Sequence, residues 1–185
     1  MQDERHNNRH GSPAQGAPQS GFTMAVFEYR TVWKSLAAAE SDAVLDFWSR
    51  HGAITDPAVA RARLEELVLV ADSAGELAGV CTARRIVPTD IGQPLYYYRS
   101  FVAPRWRGSL LVQRLLLQAC DVLEDYSAGH PDEAALGVYL ELENPIFSAH
   151  LRTPVWTRRG RSFVYIGRNA RGLERRLLWF RHARI

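Results

Sequence analysis

Residues 96–109 read YYYRSFVAPRWRGS, and the apolar stretch LLVQRLLLQACDVL follows directly at residues 110–123. The aromatic residues before Pro104 predict a strand that ends at the proline, and the leucine-rich stretch predicts a helix. A loop rich in arginine and glycine connects the two. Because backbone N–H groups and the positive end of the helix dipole converge at such a helix start, we expect this loop to bind an anion such as phosphate.

The sequence on either side of this stretch alternates between strand and helix patterns. Besides the tyrosine strand, strands are predicted at residues 25–32, 68–71, 77–81, 136–143, 162–168 and 175–181. Helices are predicted between residues 36 and 52, from Asp56-Pro57 through Leu67, and at 110–123, with a short helical or irregular segment from Asn144. The predicted order is strand, helix, helix, three strands, helix, strand, helix, two strands.

Composition limits the organisation of the chain. With 185 residues and 46% hydrophobic content, the sequence is long enough for one well-buried domain. Residues 1–23 contain few apolar side chains and predict a disordered N-terminal extension, so we place a single domain at residues 24–185. The sequence shows neither a long apolar stretch nor a signal-peptide pattern, and we therefore expect a cytoplasmic protein without a membrane span.

The two cysteines, Cys81 and Cys120, lie in apolar surroundings far apart in the sequence. We expect both to be reduced core residues. Neither belongs to a cluster of cysteine and histidine with metal-ligand spacing, so no metal is predicted.

The C-terminal region is rich in arginine. Between residues 152 and 184 there are ten arginines and a single acid, Glu174. This region either faces an anionic partner such as a nucleic acid or forms the solvated rim of two antiparallel strands. The net charge of +3 is mild and does not favour nucleic-acid binding for the molecule as a whole.

The central motif resembles that of the GNAT superfamily of acyl-coenzyme A-dependent acyltransferases. In that family a valine-containing strand and a proline precede the pattern Q/R-x-x-G-x-G/A at a helix start, and Val102, Pro104, Arg107 and Gly108 fit it. The resemblance covers residues 24–185. It implies an α/β (α+β) fold with a mixed, mostly antiparallel sheet, flanked by helices on both faces. It also implies that strands four and five splay apart at Val102 and Glu141.

The resemblance implies acetyl-coenzyme A or a longer acyl-coenzyme A as co-substrate. The residues that it places at this cofactor are Phe101, Val102, Arg105, Arg107, Gly108, Ser109, Leu110, Leu111, Val112 and Asn144. The chain departs from the motif at Leu110 and Val112, where the family has small residues that allow the backbone to approach pyrophosphate. A binding module that has lost catalytic activity is therefore the alternative to an enzyme.

The expected reaction is direct transfer of the acyl group to the amine of a small molecule or peptide, by a monomer or a homodimer. Glu141, Glu143 and His150 are the candidate catalytic residues, because they can exchange protons. Both glutamates share a strand face with Tyr139, and this face either meets the acceptor cleft or is solvated. The three tyrosines with Arg99 either line an acceptor pocket or pack on a central strand, and Trp106 either stacks on a ligand or covers the helix start.

Overall fold

Eight strands form one sheet in the computed structural model of this chain, which describes residues 26–144 and 153–184. The strands are β1 (Glu28–Thr31), β2 (Leu67–Ser73), β3 (Glu76–Ile86), β4 (Leu95–Val102), β5 (Gly137–Leu142), β6 (Val155–Arg158), β7 (Arg161–Arg168) and β8 (Glu174–Trp179). Their spatial order is β1-β2-β3-β4-β5-β8-β7-β6, and among these strands only β4 and β5 are parallel neighbours. The predicted mixed, mostly antiparallel sheet is confirmed. The predicted extension at residues 1–23 lies outside the described residues.

Helices cover both faces of the sheet, as predicted. They are α1 (Ala38–Arg50), α2 (Pro57–Leu64) and α3 (Leu111–Gly129). The apolar side of α3 packs on one face, which we call the α3 face, while α1 and α2 pack with β2 and β3 on the other, the α1–α2 face. None of these helices is long and apolar enough to cross a membrane.

Helices α1 and α2 pack mainly over β2 and β3. On the α1–α2 face of β4, β5 and β8, a third cluster contains Leu95, Tyr97, Tyr139 and Leu177 and includes no described helical residue. These four side chains are buried by their strand and loop neighbours rather than by a described helix.

Helix α2 begins at the predicted N-cap, but it ends earlier than predicted. One carboxylate oxygen of Asp56 accepts hydrogen bonds from the amides of Ala58 at 2.8 Å and Val59 at 3.3 Å, with Pro57 at the first helical position. The prediction that the helix continues to Leu67 is wrong, because Leu67 begins β2 and pairs with Thr82 of β3.

Helix α3 continues to Gly129, beyond its predicted end at Leu123. The prediction ended it too early because Glu124 and Ser127, which are polar, interrupt the apolar pattern although both are buried. Ser127 Oγ accepts a hydrogen bond from the Ala135 amide at 3.1 Å. Glu124 is only 4% exposed, and it accepts from the Arg181 amide at 2.6 Å and from the Arg161 guanidinium at 2.8 Å. Glu124 thus connects α3 to β7 and to the residues that follow β8.

We expect Glu124→Gln to lower the free energy of unfolding by about 2 kcal/mol at neutral pH, because it removes the buried negative charge that pairs with Arg161 and Arg181. Burial opposes ionisation of Glu124, but hydrogen bonds from Arg181 and Arg161 outweigh it and lower the pKa from 4.5 to about 2. A carboxylate with a lowered pKa stabilises the folded state above its unfolded pKa and loses this effect as the pH falls.

Thermal unfolding of wild type and Glu124→Gln between neutral pH and pH 2 measures this contribution. The stability difference should be largest above pH 4.5 and should shrink towards pH 2. Asp121→Asn is the matched control, since Asp121 also pairs with Arg161 but its side chain is 63% exposed. A stability difference that does not change with pH would contradict this role of Glu124.

Strand β6 is absent from the sequence prediction. Its four residues pair with β7 across a tight turn at Arg159 and Gly160, whose φ angles are 48° and 73°. Arginine is unusual at a left-handed position, where glycine, asparagine or aspartate would have indicated a hairpin. The helical or irregular segment predicted from Asn144 lies mostly in residues 145–152, outside the described residues.

Both cysteines are buried free thiols, as expected for core residues. Burial raises the pKa of Cys81 to about 12, and it also raises the pKa of Cys120. Because the reactive form of cysteine is the thiolate, neither side chain is suited to be a nucleophile.

At least five of the C-terminal arginines pair with carboxylates of the fold. These are Arg161, Arg171, Arg175, Arg176 and Arg181. Because most of their partners lie in other elements, the arginine excess in this region offsets acids elsewhere in the chain. This pairing therefore favours a solvated rim of the C-terminal strands over a surface that binds nucleic acid.

Candidate active site

Strands β4 and β5 separate partway along their length. Their ladder contains the pairs Tyr96–Val138 and Tyr97–Tyr139, and none of the described residues extends it. Strand β4 nevertheless remains paired with β3 up to Val102, and β5 remains paired with β8 up to Leu142. A gap therefore opens in the sheet between residues 98–102 and 140–142, which we call the β4–β5 gap.

Backbone amides of β4 point into this gap. The Ala103 amide donates to the Ala78 carbonyl at 2.9 Å, so the amides of Ala103 and Phe101 face β3. Because backbone groups alternate between the two sides of a strand, the amides of Ser100 and Val102 face the gap. The Ser100 side chain is exposed although β4 lies inside the sheet. The gap thus places N–H donors where a carbonyl oxygen could be held.

The N-terminus of α3 lies just beyond the end of β4. Ser109 Oγ accepts from the Leu111 amide at 3.2 Å and donates to the Trp106 carbonyl at 2.7 Å. Within the described part of the chain, the amides of Val112 and Gln113 have no hydrogen-bond acceptor. Two N–H donors at the positive end of a long helix are suited to hold an anion.

The loop before α3 accommodates the two bulky residues of the motif. Gly108 has a φ of 86°, in the left-handed region that glycine adopts without strain. The Leu110 side chain is 61% exposed to solvent, and Val112 packs against the core. Both side chains are therefore accommodated while the Val112 amide stays without an acceptor.

Two arginines and a tryptophan border this helix start. Arg105 pairs with Glu76 of β3, and Arg107 donates to the Val102 carbonyl at 3.4 Å, which places it at the end of the gap. The Trp106 ring contacts Phe27 at a centroid distance of 5.2 Å, and its indole nitrogen is buried. Trp106 therefore covers the core beneath the loop.

A polar cluster lies beside the gap on the α1–α2 face. The Tyr97 hydroxyl donates to Glu141 Oε2 at 2.8 Å, and the Tyr139 hydroxyl donates to Glu141 Oε1 at 3.1 Å. Arg171, in the β7–β8 loop, donates to Oε2 at 3.1 Å. The amides of Arg171 and Leu173 both bond to the Asn169 side chain at 2.9 Å and fix this loop. One carboxylate thus collects donors from β4, β5 and the loop.

This cluster keeps Glu141 ionised and its tyrosines protonated. Burial opposes ionisation of Glu141, but hydrogen bonds from Asn169, Tyr97, Tyr139 and Arg171 outweigh it and lower the pKa of its carboxyl. Burial and the adjacent Glu141 charge raise the pKa of Tyr139 to about 12, and burial raises the pKa of Tyr97. At neutral pH both hydroxyls carry their protons, and Glu141 accepts hydrogen bonds.

The structure brings some predicted site residues together and separates others. Six of the predicted cofactor residues surround the end of the gap and the start of α3: Val102, Arg107, Gly108, Ser109, Leu110 and Val112. Phe101 and Leu111 belong to the core instead: Phe101 packs on Phe47 of α1, and Leu111 is fully buried. Glu143 is exposed and lies 3.6 Å from Arg171, and Asn144 is exposed after β5. His150 lies outside the described residues.

Three residues of the polar cluster are absent from the sequence-based list of catalytic candidates. These residues are Tyr97, Tyr139 and Arg171. They contact Glu141 only because β4 pairs with β5 and β7 pairs with β8. The alternation along β5 did place Tyr139 on the same face as Glu141, but no sequence signal indicates Arg171. In the described ranges, no group of three or more histidine, cysteine, aspartate or glutamate side chains is placed to hold a metal.

No family model and no curated protein matches this chain. Solved structures do match its fold at low sequence identity. A GNAT-family acetyltransferase from Streptococcus pneumoniae matches with a TM-score of 0.53 and 12% identity, over 83% of this chain and 97% of that one. The ribosomal-protein-S18-alanine N-acetyltransferase from Escherichia coli matches with a TM-score of 0.50 and 15% identity, over 86% and 100%.

A third structure, yncA from Salmonella typhimurium, was determined with its cofactor acetyl-CoA. It matches with a TM-score of 0.51 and 17% identity, over 85% of this chain and 96% of that one. The chain therefore has the fold of GNAT acetyltransferases, as its central motif indicated.

Proposed function

We propose that this GNAT-fold chain transfers an acyl group from acyl-coenzyme A to the amine of a small molecule or peptide, by direct attack. The observation that supports the proposal is the β4–β5 gap, which leads from the strand amides that face it to amides at the start of α3 that have no acceptor among the described residues. One end of this path suits a carbonyl oxygen and the other suits a phosphate. An acyl thioester attached to a pyrophosphate carries both groups.

The residues present fit this co-substrate. The amides of Val112 and Gln113 would hold the pyrophosphate, with Arg107 nearby to offset its charge. The amides of Ser100 and Val102 would hold the thioester carbonyl and stabilise the negative charge that grows on its oxygen during attack. Bound there, the co-substrate would supply an activated acyl group.

The amine would approach from the α1–α2 face beside Tyr97 and Tyr139, whose cluster includes no described helical residue. In this proposal Glu141 is a positioning residue, because a carboxylate with four donors and a lowered pKa is a weak base. It would orient the hydroxyls of Tyr97 and Tyr139, which keep their protons at neutral pH. Either hydroxyl could donate a proton to the thiolate that leaves, and the proton that the attacking amine loses would restore that tyrosine.

Thiol release from acetyl-coenzyme A in the presence of an amine tests the proposed activity. Acylation of any amine would support it. Saturable binding of acetyl-coenzyme A without transfer to a broad set of amines would instead favour the inactive binding module. Salt-sensitive binding of nucleic acid, without either result, would favour the arginine-rich alternative.

We expect Ser100→Trp to weaken acetyl-coenzyme A binding about tenfold, because the new indole occupies part of the gap. The effect should be partial, since an exposed tryptophan keeps more than one rotamer. Ser100→Ala is the matched control and should bind as wild type does. Calorimetric titration of both variants gives the two affinities, and equal affinities would remove the gap from the binding site.

A further inference from the structure

Three arginines from different elements meet on the α1–α2 face beside the gap. Arg84 of β3 pairs directly with Tyr97 of β4, so Arg84 and Arg99 are diagonal neighbours on the same face. Arg63 lies on α2, and burial together with the charges of Arg99 and Arg84 lowers its pKa, although Glu66 opposes this. The three positive charges are therefore close enough to repel one another.

The nearby carboxylate does not balance these charges. Glu66 lies 3.7 Å from Arg63 and 3.9 Å from Arg84, so one carboxylate serves two arginines at long distances. Among the described residues, no carboxylate lies within ion-pair distance of Arg99. Glu141, on the same face, contacts Arg99 only through the shared Tyr97 hydroxyl and is itself paired with Arg171, so positive charge remains in excess at Arg99.

The guanidinium of Arg99 is held in place but incompletely bonded. It lies over the Tyr97 ring, 4.4 Å from the ring centre, and donates one hydrogen bond to the Tyr97 hydroxyl at 3.2 Å. Its Nε is buried and has no acceptor in the described structure. A partly desolvated cation is costly unless an anion offsets its charge. Because Nε is enclosed, a ligand would bind the terminal N–H groups of Arg99, and the missing carboxylate partner points to an anion there.

The position of Arg99 limits the size of that ligand. The Arg99 guanidinium lies over the ring of Tyr97, which precedes Ser100 in β4, and strand residues rise about 3.3 Å each. An anion bound to Arg99 would therefore lie within about 10 Å of an acyl carbonyl in the gap, a distance that a small molecule can span.

We propose that Arg99, flanked by Arg63 and Arg84, binds a carboxylate or phosphate of the acceptor. The acceptor class is thus a small molecule that carries both an amine and an oxyanion. Guanidinium groups form paired hydrogen bonds with both oxyanions, so this chemistry is shared by the two groups. The proposal rests on the acyl-transfer function, because it names the acceptor of that reaction.

Nuclear magnetic resonance titration of the full chain with four small probes tests this site. β-Alanine and β-alaninamide differ in a carboxylate, and phosphoethanolamine and ethanolamine differ in a phosphate. We expect at least one anionic probe to saturate at millimolar concentration and its neutral counterpart not to. Binding by β-alanine alone would identify a carboxylate site, and binding by phosphoethanolamine alone a phosphate site.

Two variants separate recognition by Arg99 from a general effect of positive charge. Arg99→Gln should weaken binding of the anionic probe about tenfold. Arg158→Gln removes an exposed arginine of β6 and should bind the probe as wild type does. Three results would each overturn the proposal. They are saturation by neither anionic probe, binding of the neutral probes as tightly as the anionic ones, and an unchanged affinity of Arg99→Gln for the anionic probe.

Titration of the same samples with acetyl-coenzyme A distinguishes the two proposals. Binding of acetyl-coenzyme A without discrimination between charged and neutral probes would overturn the arginine site and leave acyl transfer standing. Discrimination between the probes without acetyl-coenzyme A binding would overturn acyl transfer and leave an oxyanion site.

Discussion

Leu110→Asp should weaken acetyl-coenzyme A binding about thirtyfold without destabilising the fold. Residue 110 immediately precedes α3, where a negative charge interacts favourably with the helix dipole, so the free energy of unfolding should hold or rise. The same charge would stand beside the phosphates that the free amides are proposed to bind. Repulsion of about 2 kcal/mol near a protein surface corresponds to roughly this loss of affinity.

Leu110→Asn is the matched control, because asparagine has the size of aspartate and no charge. It should bind acetyl-coenzyme A within about threefold of wild type. Calorimetric titration of the two variants, with thermal unfolding of each, separates charge from shape. Wild-type affinity in both Leu110→Asp and Leu110→Asn would exclude the start of α3 as the phosphate site.

Gly137→Ala should lower the free energy of unfolding by about 3 kcal/mol or more. A Cβ atom at Gly137 would lie 2.1 Å from the backbone oxygen of Leu178. Because that atom belongs to the neighbouring strand β8, no side-chain rotation can relieve the contact. β5 also forms one wall of the β4–β5 gap, so its displacement should reduce acetyl-coenzyme A binding as well.

Gly129→Ala provides the control for this prediction. Gly129 ends α3, and nothing lies within 4 Å of the position a Cβ would take. Alanine there should be neutral or stabilising by up to about 1 kcal/mol, since it favours the helix. Denaturant unfolding gives both values, and similar stability of the two variants would contradict the close approach of β5 and β8.

The strand and the helix on either side of Pro104 could be predicted from the sequence. The proline ends β4, and the leucines give α3 one apolar face, so both elements follow from local pattern and steric restriction. The same local signals predict the Asp56 cap of α2 and the hairpin at Asn169. These features depend on residues close together in sequence, which is why they are readable without a structure.

Other features depend on contacts between distant elements. Alternation along β5 placed Glu141 beside Tyr139, but it could not show that Arg171 from a loop also binds this carboxylate. Arg99 has no local pattern that separates it from any other strand arginine. That no carboxylate of the described residues pairs with it is visible only when the neighbouring elements are in place. Likewise, Glu124 reads as the end of a helix until Arg161 and Arg181 are brought against it.

Leu110 and Val112 illustrate the limit of a motif. By sequence, both residues differ from the small ones that would leave room for a pyrophosphate. In the structure one side chain faces solvent and the other packs on the core, and the described residues offer no acceptor to the amides of Val112 and Gln113. These free backbone donors, rather than side-chain size alone, support phosphate binding here.

Calorimetric titration of the full-length wild-type chain with acetyl-coenzyme A tests the central claim most directly. Pantetheine, which lacks the pyrophosphate, is the comparison ligand. The gap and the start of α3 predict saturable binding of one acetyl-coenzyme A per chain and much weaker binding of pantetheine. Absence of saturable binding by acetyl-coenzyme A would contradict the proposed function.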